Sequence, residues 1–333
     1  MIICRTPYRI SFFGGGTDYK EWYSHYSSEI ISTTIDKYIY LSLRKLPNFF
    51  SKKNRIIYSK IEETENLKDI KLAPVKKILL FEKFKNGIEF HYDGQMPAKS
   101  GVGSSSSFVV GLTHICSEIK NKKLSKKSLA EKAINYERKL LGEVVGLQDQ
   151  IATSYGGLNH IKIDKSGKFI VKPLLKNNLI KKKFNSNLVL LYSGIQKLSR
   201  NELSNYVKSI NTKSKNLMLE NITITKEAKT LLDQHKFSEF GILLDKSWEI
   251  KKKISKSISN TGIDNIYLKA KKSGALGGKL LGAGGGGFLL FYVPQERKKF
   301  FIKKMNFLTH IDFNFENTGS KIIYKNLKGE KYV

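Results

Sequence analysis

The residues best suited to chemistry in this 333-residue chain are a run of small ones, Pro97-Ala98-Lys99-Ser100-Gly101-Val102-Gly103-Ser104-Ser105-Ser106-Ser107. Ile88 to Tyr92 before it alternates at period two, as a strand does. Phe108, Val109, Leu112, Ile115, Cys116 and Ile119 after it fall at helical spacing. The loop therefore opens a helix. Small side chains let backbone N–H groups approach an anion closely, and the helix N-terminus adds partial positive charge. A phosphate chain is the natural guest, and the four serines could cap the helix or ligate Mg²⁺. The same residues would also serve an N-capped helix after a flexible turn. The segment is not a Walker loop, because G-x-x-x-x-G-K-S/T is absent.

A second cluster, Gly282-Ala283-Gly284-Gly285-Gly286-Gly287, satisfies G-x-G-x-x-G. A dinucleotide fingerprint needs a helix next, and the strand-like Phe288 to Val293 follows instead. Two readings remain, a hairpin turn or a backbone lining a site. Four consecutive glycines are costly to order, which favours the site.

Stepping outward, residues 1–45 read as a strand, a Gly turn and further strand-like segments at Ile30–Ile35 and Tyr38–Leu43. The helix after the serines runs to about Lys120, and a second spans Ser128 to Leu141. Leu147 to Ala152 reads as the start of another, and Leu158 to Val171 reads as a hairpin turning at Asp164–Gly167. Basic, polar residues 172–186 form the candidate boundary, giving domains 1–180 and 181–333. The second half opens with a strand at Leu188–Tyr192 and is helical over about 198–272. It closes with strands around Lys279–Tyr292, a helix from Gln295 and a strand near Lys321–Tyr324. Mixed elements in both halves give an α+β class.

Composition excludes several classes. Hydrophobic content of 40% and charged content of 26% are those of a soluble globular protein. No apolar run approaches a membrane span, and the N-terminus lacks a signal-peptide core. Two cysteines, Cys4 and Cys116, provide no disulfide framework and suit a reducing cytoplasm. The net charge of +30 raises the question of nucleic acid, but the lysines are spread along the chain without a clustered footprint. A positive field would still favour phosphorylated small molecules. The six histidines form no ligand spacing.

Arg5-Thr6-Pro7-Tyr8-Arg9-Ile10-Ser11-Phe12-Phe13-Gly14-Gly15-Gly16-Thr17-Asp18-Tyr19, the Pro97–Ser107 loop and Lys279–Phe288 stand in that order. Together they resemble the three motifs of the GHMP kinases, over nearly the whole chain. Within that family the first segment is most similar to bacterial D-glycero-D-manno-heptose 7-phosphate kinases. Galactokinases carry Glu-His-Thr-Asp where this chain has Gly15-Gly16-Thr17-Asp18. The resemblance implies a two-domain fold with its active site in the cleft between domains. It also implies ATP-dependent phosphorylation of an anomeric hydroxyl, giving a heptose 1,7-bisphosphate for surface-polysaccharide precursors.

The resemblance further assigns roles. Backbone amides of Lys99, Ser100, Gly101, Val102, Gly103, Ser104, Ser105 and Ser106 would hold the phosphates of ATP. Ser105 and Glu137 would ligate Mg²⁺. Asp149, in Gly146-Leu147-Gln148-Asp149-Gln150, would take or orient the sugar hydroxyl proton. Arg9 would stand beside Asp149 and steady charge on the transferring group. Gly15, Gly16, Thr17 and Asp18 would meet the sugar, with Gly284 and Gly285 lining the site. Ser193, Lys197 and Arg200, at a strand-to-helix junction, would take the substrate phosphate. Lys99 and Arg138 are further candidates for it.

Two alternatives stand beside this expectation. One is another GHMP kinase, for fucose-like or other sugars. The other is a non-catalytic protein that senses a ligand or binds RNA, which the joint presence of Asp149, Glu137 and Ser105 argues against. Self-association is left open.

Overall fold

A computed structural model describes residues 1–195, 207, 210, 214–327 and 332–333. Alternating apolar residues give the long first hairpin, β1 (Ile2–Phe13) paired antiparallel with β2 (Ser28–Lys45), with α1 (Lys20–Tyr26) between them. These two strands are the spine of a nine-stranded sheet. β3 (Asn54–Ile57), β4 (Ile61–Thr64) and β5 (Ile88–Gly94) extend it on one side of β2. β6 (Asn159–Ile163) and β7 (Phe169–Pro173) form the hairpin expected near 158–171 and pair with β2 through β6. Between β3–β4 and β5 lies α2 (Ala73–Phe81).

α3 (Ser104–Ile119) packs its apolar face under β1 and β2, and α4 (Lys126–Asn135) and α5 (Gln148–Tyr155) pack against it. The single helix expected over 128–141 is instead α4 followed by a π-turn, Tyr136–Leu140. Such bulges occur frequently at functional sites, and this one carries Glu137.

The second sheet holds β8 (Leu188–Tyr192), β9 (Gly277–Leu280), β10 (Phe288–Tyr292) and β11 (Thr309–Ile311) in the order β11-β8-β10-β9. Helices α7 (Lys215–Asp233) and α8 (Phe237–Ile254) pack together, and α8 also lies along β9. α9 (Thr261–Lys272) precedes β9, and α10 (Gln295–Lys304) follows β10. The stretch 172–186 is not a bare linker. β7 runs to Pro173, and α6 (Asn178–Ser186) begins at an Asn177 cap that accepts from the Leu179 and Ile180 N–H groups. Phe184 on α6 is fully buried.

The tail does not stay with the second sheet. β12 (Phe315–Glu316) pairs with β2 and β13 (Lys321–Lys325) pairs with β1, so the last strands return to the first sheet. One apolar core runs through both halves. Phe12, Phe184 and Phe240 meet at ring-centroid distances of 5.0–5.8 Å, with Phe315 on β12 6.3 Å from Phe12. Each aromatic pair adds about 0.5–1.5 kcal/mol beyond its buried area. Among the described residues no helix is long and apolar enough to cross a membrane.

Candidate active site

A cavity of about 320 Å³ lies where the two sheets face each other. Its walls come from β1, the glycine turn after it, the serine loop, α5, α8 and β9. That size suits a small-molecule ligand.

The helix that the serines open is α3, and its N-cap is Gly103 at φ 76°. No side chain caps it there. The first N–H groups of a helix have no intrahelical partner, so those of Ser104, Ser105 and Ser106 are placed to meet an anion. All three serines line the cavity. A Cβ on Gly103 would come within 3.0 Å of Arg9 Cγ and 3.4 Å of Asp149 Oδ2, which brings the expected base to the mouth of the serine loop. Gly101 and Gly282 touch. A Cβ on Gly101 would lie 2.4 Å from the Leu281 carbonyl oxygen, and one on Gly282 would lie 2.5 Å from Gly101 Cα. The two glycine clusters are therefore parts of one joint between the sheets.

Asp149 sits in the first turn of α5. Arg9 grips it with Nε to Oδ1 at 2.6 Å and Nη2 to Oδ2 at 2.7 Å, while Nη1 donates to the Gly101 carbonyl at 2.6 Å. Gln148 Nε2 also donates to Asp149 Oδ1 at 3.2 Å, and Gln148 Oε1 accepts from Ser11 Oγ at 2.7 Å. Both Arg9 and Asp149 line the cavity. A bidentate Arg–carboxylate pair fixes orientation as well as charge.

Glu137 is fully buried one layer behind the serines. Its carboxylate accepts from Ser106 Oγ at 2.8 Å, from Ser105 Oγ at 3.3 Å and from Gln150 Nε2. Burial pushes its carboxyl up to about 7, against the lowering effect of those bonds. A hydroxyl and one carboxylate are hard oxygen donors, and Mg²⁺ binds through one or two carboxylates plus phosphate oxygens. Ser105 and Glu137 fit that ion. Among the described residues no group of three or more His, Cys, Asp or Glu side chains could form an all-protein metal cage.

The remaining expected residues divide. Lys99, Gly101, Gly15 and Asp18 line the cavity. Asp18 does more than face a ligand. Its Oδ2 accepts from the Gln148 N–H at 3.0 Å and its Oδ1 from the Gly16 N–H at 3.2 Å, so it ties the first motif to the start of α5. Burial raises its carboxyl, while the backbone N–H groups of Gln148 and of Asp18 itself lower it. Thr17 and Gly16 lie outside the cavity lining, and Thr17 is fully buried with its hydroxyl on the Gly14 carbonyl and Ser28. Ser100 and Val102 are buried and also outside it. Their carbonyls accept from Phe288 N and Arg9 N, which makes them brackets of the loop. Of the second glycine cluster, Gly282 and Ala283 face the cavity. Gly284 and Gly285 pack on Ile258 instead. Ser193 accepts from the Ile195 and Gly287 N–H groups and holds that turn. Lys197 and Arg200 lie outside the described residues. Arg138 donates to the Val145 carbonyl and Tyr23, bracing the 143–146 wall.

Gln148, Gln150, Lys251 and Lys279 also line the site, with no role expected for them from the sequence. The glutamines flank Asp149 in the quoted motif, so their signal was in hand. Lys279 opens the third quoted segment but was given no role there, and Lys251 carries no local signature.

Residues 73–157 match the GHMP kinases N terminal domain, and residues 228–308 match the GHMP kinases C terminal domain. A D-glycero-alpha-D-manno-heptose 7-phosphate kinase of Campylobacter jejuni is 32% identical over 331 residues, covering 95% of this chain and 97% of its own. The chain belongs to the GHMP kinases. It is accordingly a phosphotransferase with an alcohol group as acceptor. Two solved structures share the GHMP kinase fold. One is a D-glycero-D-manno-heptose 1-phosphate kinase from Bacteroides thetaiotaomicron, with a TM-score of 0.80 at 23% identity over 98% of this chain and 100% of that one. The other is the Methanococcus jannaschii mevalonate kinase, with a TM-score of 0.71 at 23% identity over 94% and 98%.

Proposed function

We propose that this GHMP kinase is an ATP-dependent sugar 1-kinase that converts D-glycero-D-manno-heptose 7-phosphate to the 1,7-bisphosphate. The observation that carries the reading is one cavity shared by the α3 N-terminus and the Arg9–Asp149 pair. The Campylobacter jejuni relative supports the choice of acceptor.

Phosphoryl transfer needs the donor held, the charge balanced and the nucleophile aligned. The Ser104–Ser106 N–H groups would hold the donor's phosphates. Asp149 accepts the hydrogen bond of the anomeric hydroxyl and receives its proton. The hydroxyl oxygen bonds to the γ-phosphorus as the bond to the ADP oxygen breaks. Arg9, with two nitrogens on Asp149 and one on Gly101, keeps the carboxylate aimed and its charge balanced. Mg²⁺, held by Ser105 and Glu137, would neutralise charge on the phosphate oxygens.

We further propose that residues 1–180, with β12 and β13, form the nucleotide-bearing lobe, and that the reaction runs in the cytoplasm. Both cysteines are free and buried, in keeping with a reducing compartment. The test is ADP release from ATP with Mg²⁺ across a panel of acceptors. Heptose 7-phosphate should be turned over. Turnover confined to mevalonate, homoserine, heptose 1-phosphate or unphosphorylated hexoses would reject the substrate.

A further inference from the structure

Lys279, on β9, is an ammonium buried at the cavity wall, 5% exposed. Its one hydrogen bond among the described residues runs from Nζ to the Phe12 carbonyl at 2.7 Å. An ammonium carries three donors, so two remain to serve the space it borders. No carboxylate among the described residues forms an ion pair with it, although buried charges are normally paired. The charged groups around it do not supply a partner. Arg9 on β1 is committed to Asp149 of α5. Lys251 on α8, which shares a small adjoining cavity with Lys279, is a second cation and donates to the Leu280 and Gly282 carbonyls. From α7 that adjoining cavity receives the uncharged Asn221. A buried cation beside two other cations, with no counter-charge of its own, holds its proton readily only when an anion arrives from solution.

We propose that Lys279 is the residue that contacts a ligand phosphate oxygen in this cleft. The oxygen has two sources, the acceptor's own phosphate or the phosphoryl group in transfer. Lys279 stands between them. Phe12 leads into the glycine turn at the acceptor end, and Gly282, three residues on, touches Gly101 of the donor loop. Burial, with Arg9 nearby, pulls the free ammonium down to about 7. An incoming phosphate favours the charged form, so binding above that pH draws a proton from buffer.

The experiment is calorimetric titration of the full-length protein at pH 8 in two buffers of different ionisation enthalpy. At that pH the ligand phosphates are fully ionised, so any proton taken up goes to the protein. Ligands are heptose 7-phosphate and a non-hydrolysable ATP analogue with Mg²⁺, each alone and both together. We expect uptake approaching one proton in the unsubstituted protein, lost in Lys279→Met. Uptake with the sugar alone assigns the acceptor phosphate, and Lys279→Met then raises the acceptor KM by roughly ten- to hundredfold with the ATP KM unmoved. Uptake tied to the analogue assigns the donor's terminal phosphate, and Lys279→Met then lowers kcat/KM for ATP by a similar factor with the acceptor KM unmoved.

The absence of uptake in the unsubstituted protein overturns the proposal, and that measurement stands even if Lys279→Met does not fold. So does uptake that persists in the variant, or kinetics within twofold of the unsubstituted enzyme. The acceptor arm rests on the proposed function. If heptose 7-phosphate neither binds nor reacts, that function fails while the analogue arm still decides for or against Lys279.

Discussion

Arg9 and Asp149 are locked in a two-point ion pair across 140 positions of sequence, at 2.6 and 2.7 Å, with the arginine's side chain almost fully buried and the carboxylate partly open to the cavity. The asymmetry matters. The cation is fixed from behind by the Gly101 carbonyl, and of the two groups that line the cavity the carboxylate is the more open to a ligand.

Asp149→Asn keeps the shape and removes the proton acceptor. Turnover should fall by about 10²–10⁴ while nucleotide affinity stays within a few-fold. Steady-state kinetics with a nucleotide-binding titration would check both halves. Unchanged kcat would remove Asp149 from the chemistry.

Glu137 should make magnesium use pH-dependent. Its carboxyl is raised to about 7 by burial, and only the ionised form can hold a divalent cation. The Mg²⁺ concentration for half-maximal rate should therefore fall as pH rises from 6 to 8, and Glu137→Gln should flatten that dependence at low activity.

The same group should shape the stability of the magnesium-free protein. Below pH 4.5 its carboxyl is protonated both folded and unfolded. Between 4.5 and about 7 the unfolded chain ionises it while the folded protein does not. Stability from Glu137 is thus lost as pH rises through that window, by about 3 kcal/mol at most. Chemical denaturation of Glu137→Gln against the unsubstituted protein, at pH 5 and pH 7.5, would isolate it. A difference that does not change with pH contradicts the account.

Gly101→Ala tests the joint between the glycine clusters. The residue has φ +90°, and an added Cβ would strike the Leu281 carbonyl oxygen. We expect a loss of about 1–3 kcal/mol in stability and a weakened grip on nucleotide, because the donor loop must shift. Thermal melts and nucleotide titration would show it. A melt and affinity equal to those of the unsubstituted protein would mean that the loop has room.

The contrast between what the sequence disclosed and what it hid follows from the range of each cause. The serine loop, α3 and Asp149 were legible because their chemistry needs small residues and a helix start contiguous in sequence. The role of Lys279 was not, although the residue opens the third quoted segment, since its environment arises only when β9 packs across from β1, far away along the chain. Thr17 was expected to face a sugar. Its hydroxyl turns inward, donating to the Gly14 carbonyl of its own turn and meeting Ser28 at the start of β2. The strand near Lys321–Tyr324 was legible, but its return with β12 to the first sheet was not, because their partners β1 and β2 lie at the other end of the chain.

The most direct test of the account is a crystal structure of the full chain with heptose 7-phosphate, Mg²⁺ and a non-hydrolysable ATP analogue. The account predicts the anomeric oxygen within hydrogen-bond distance of the Asp149 carboxylate and the donor's phosphates on the Ser104–Ser106 N–H groups. A sugar bound elsewhere, with Asp149 facing solvent and no path between it and the phosphates, would contradict it.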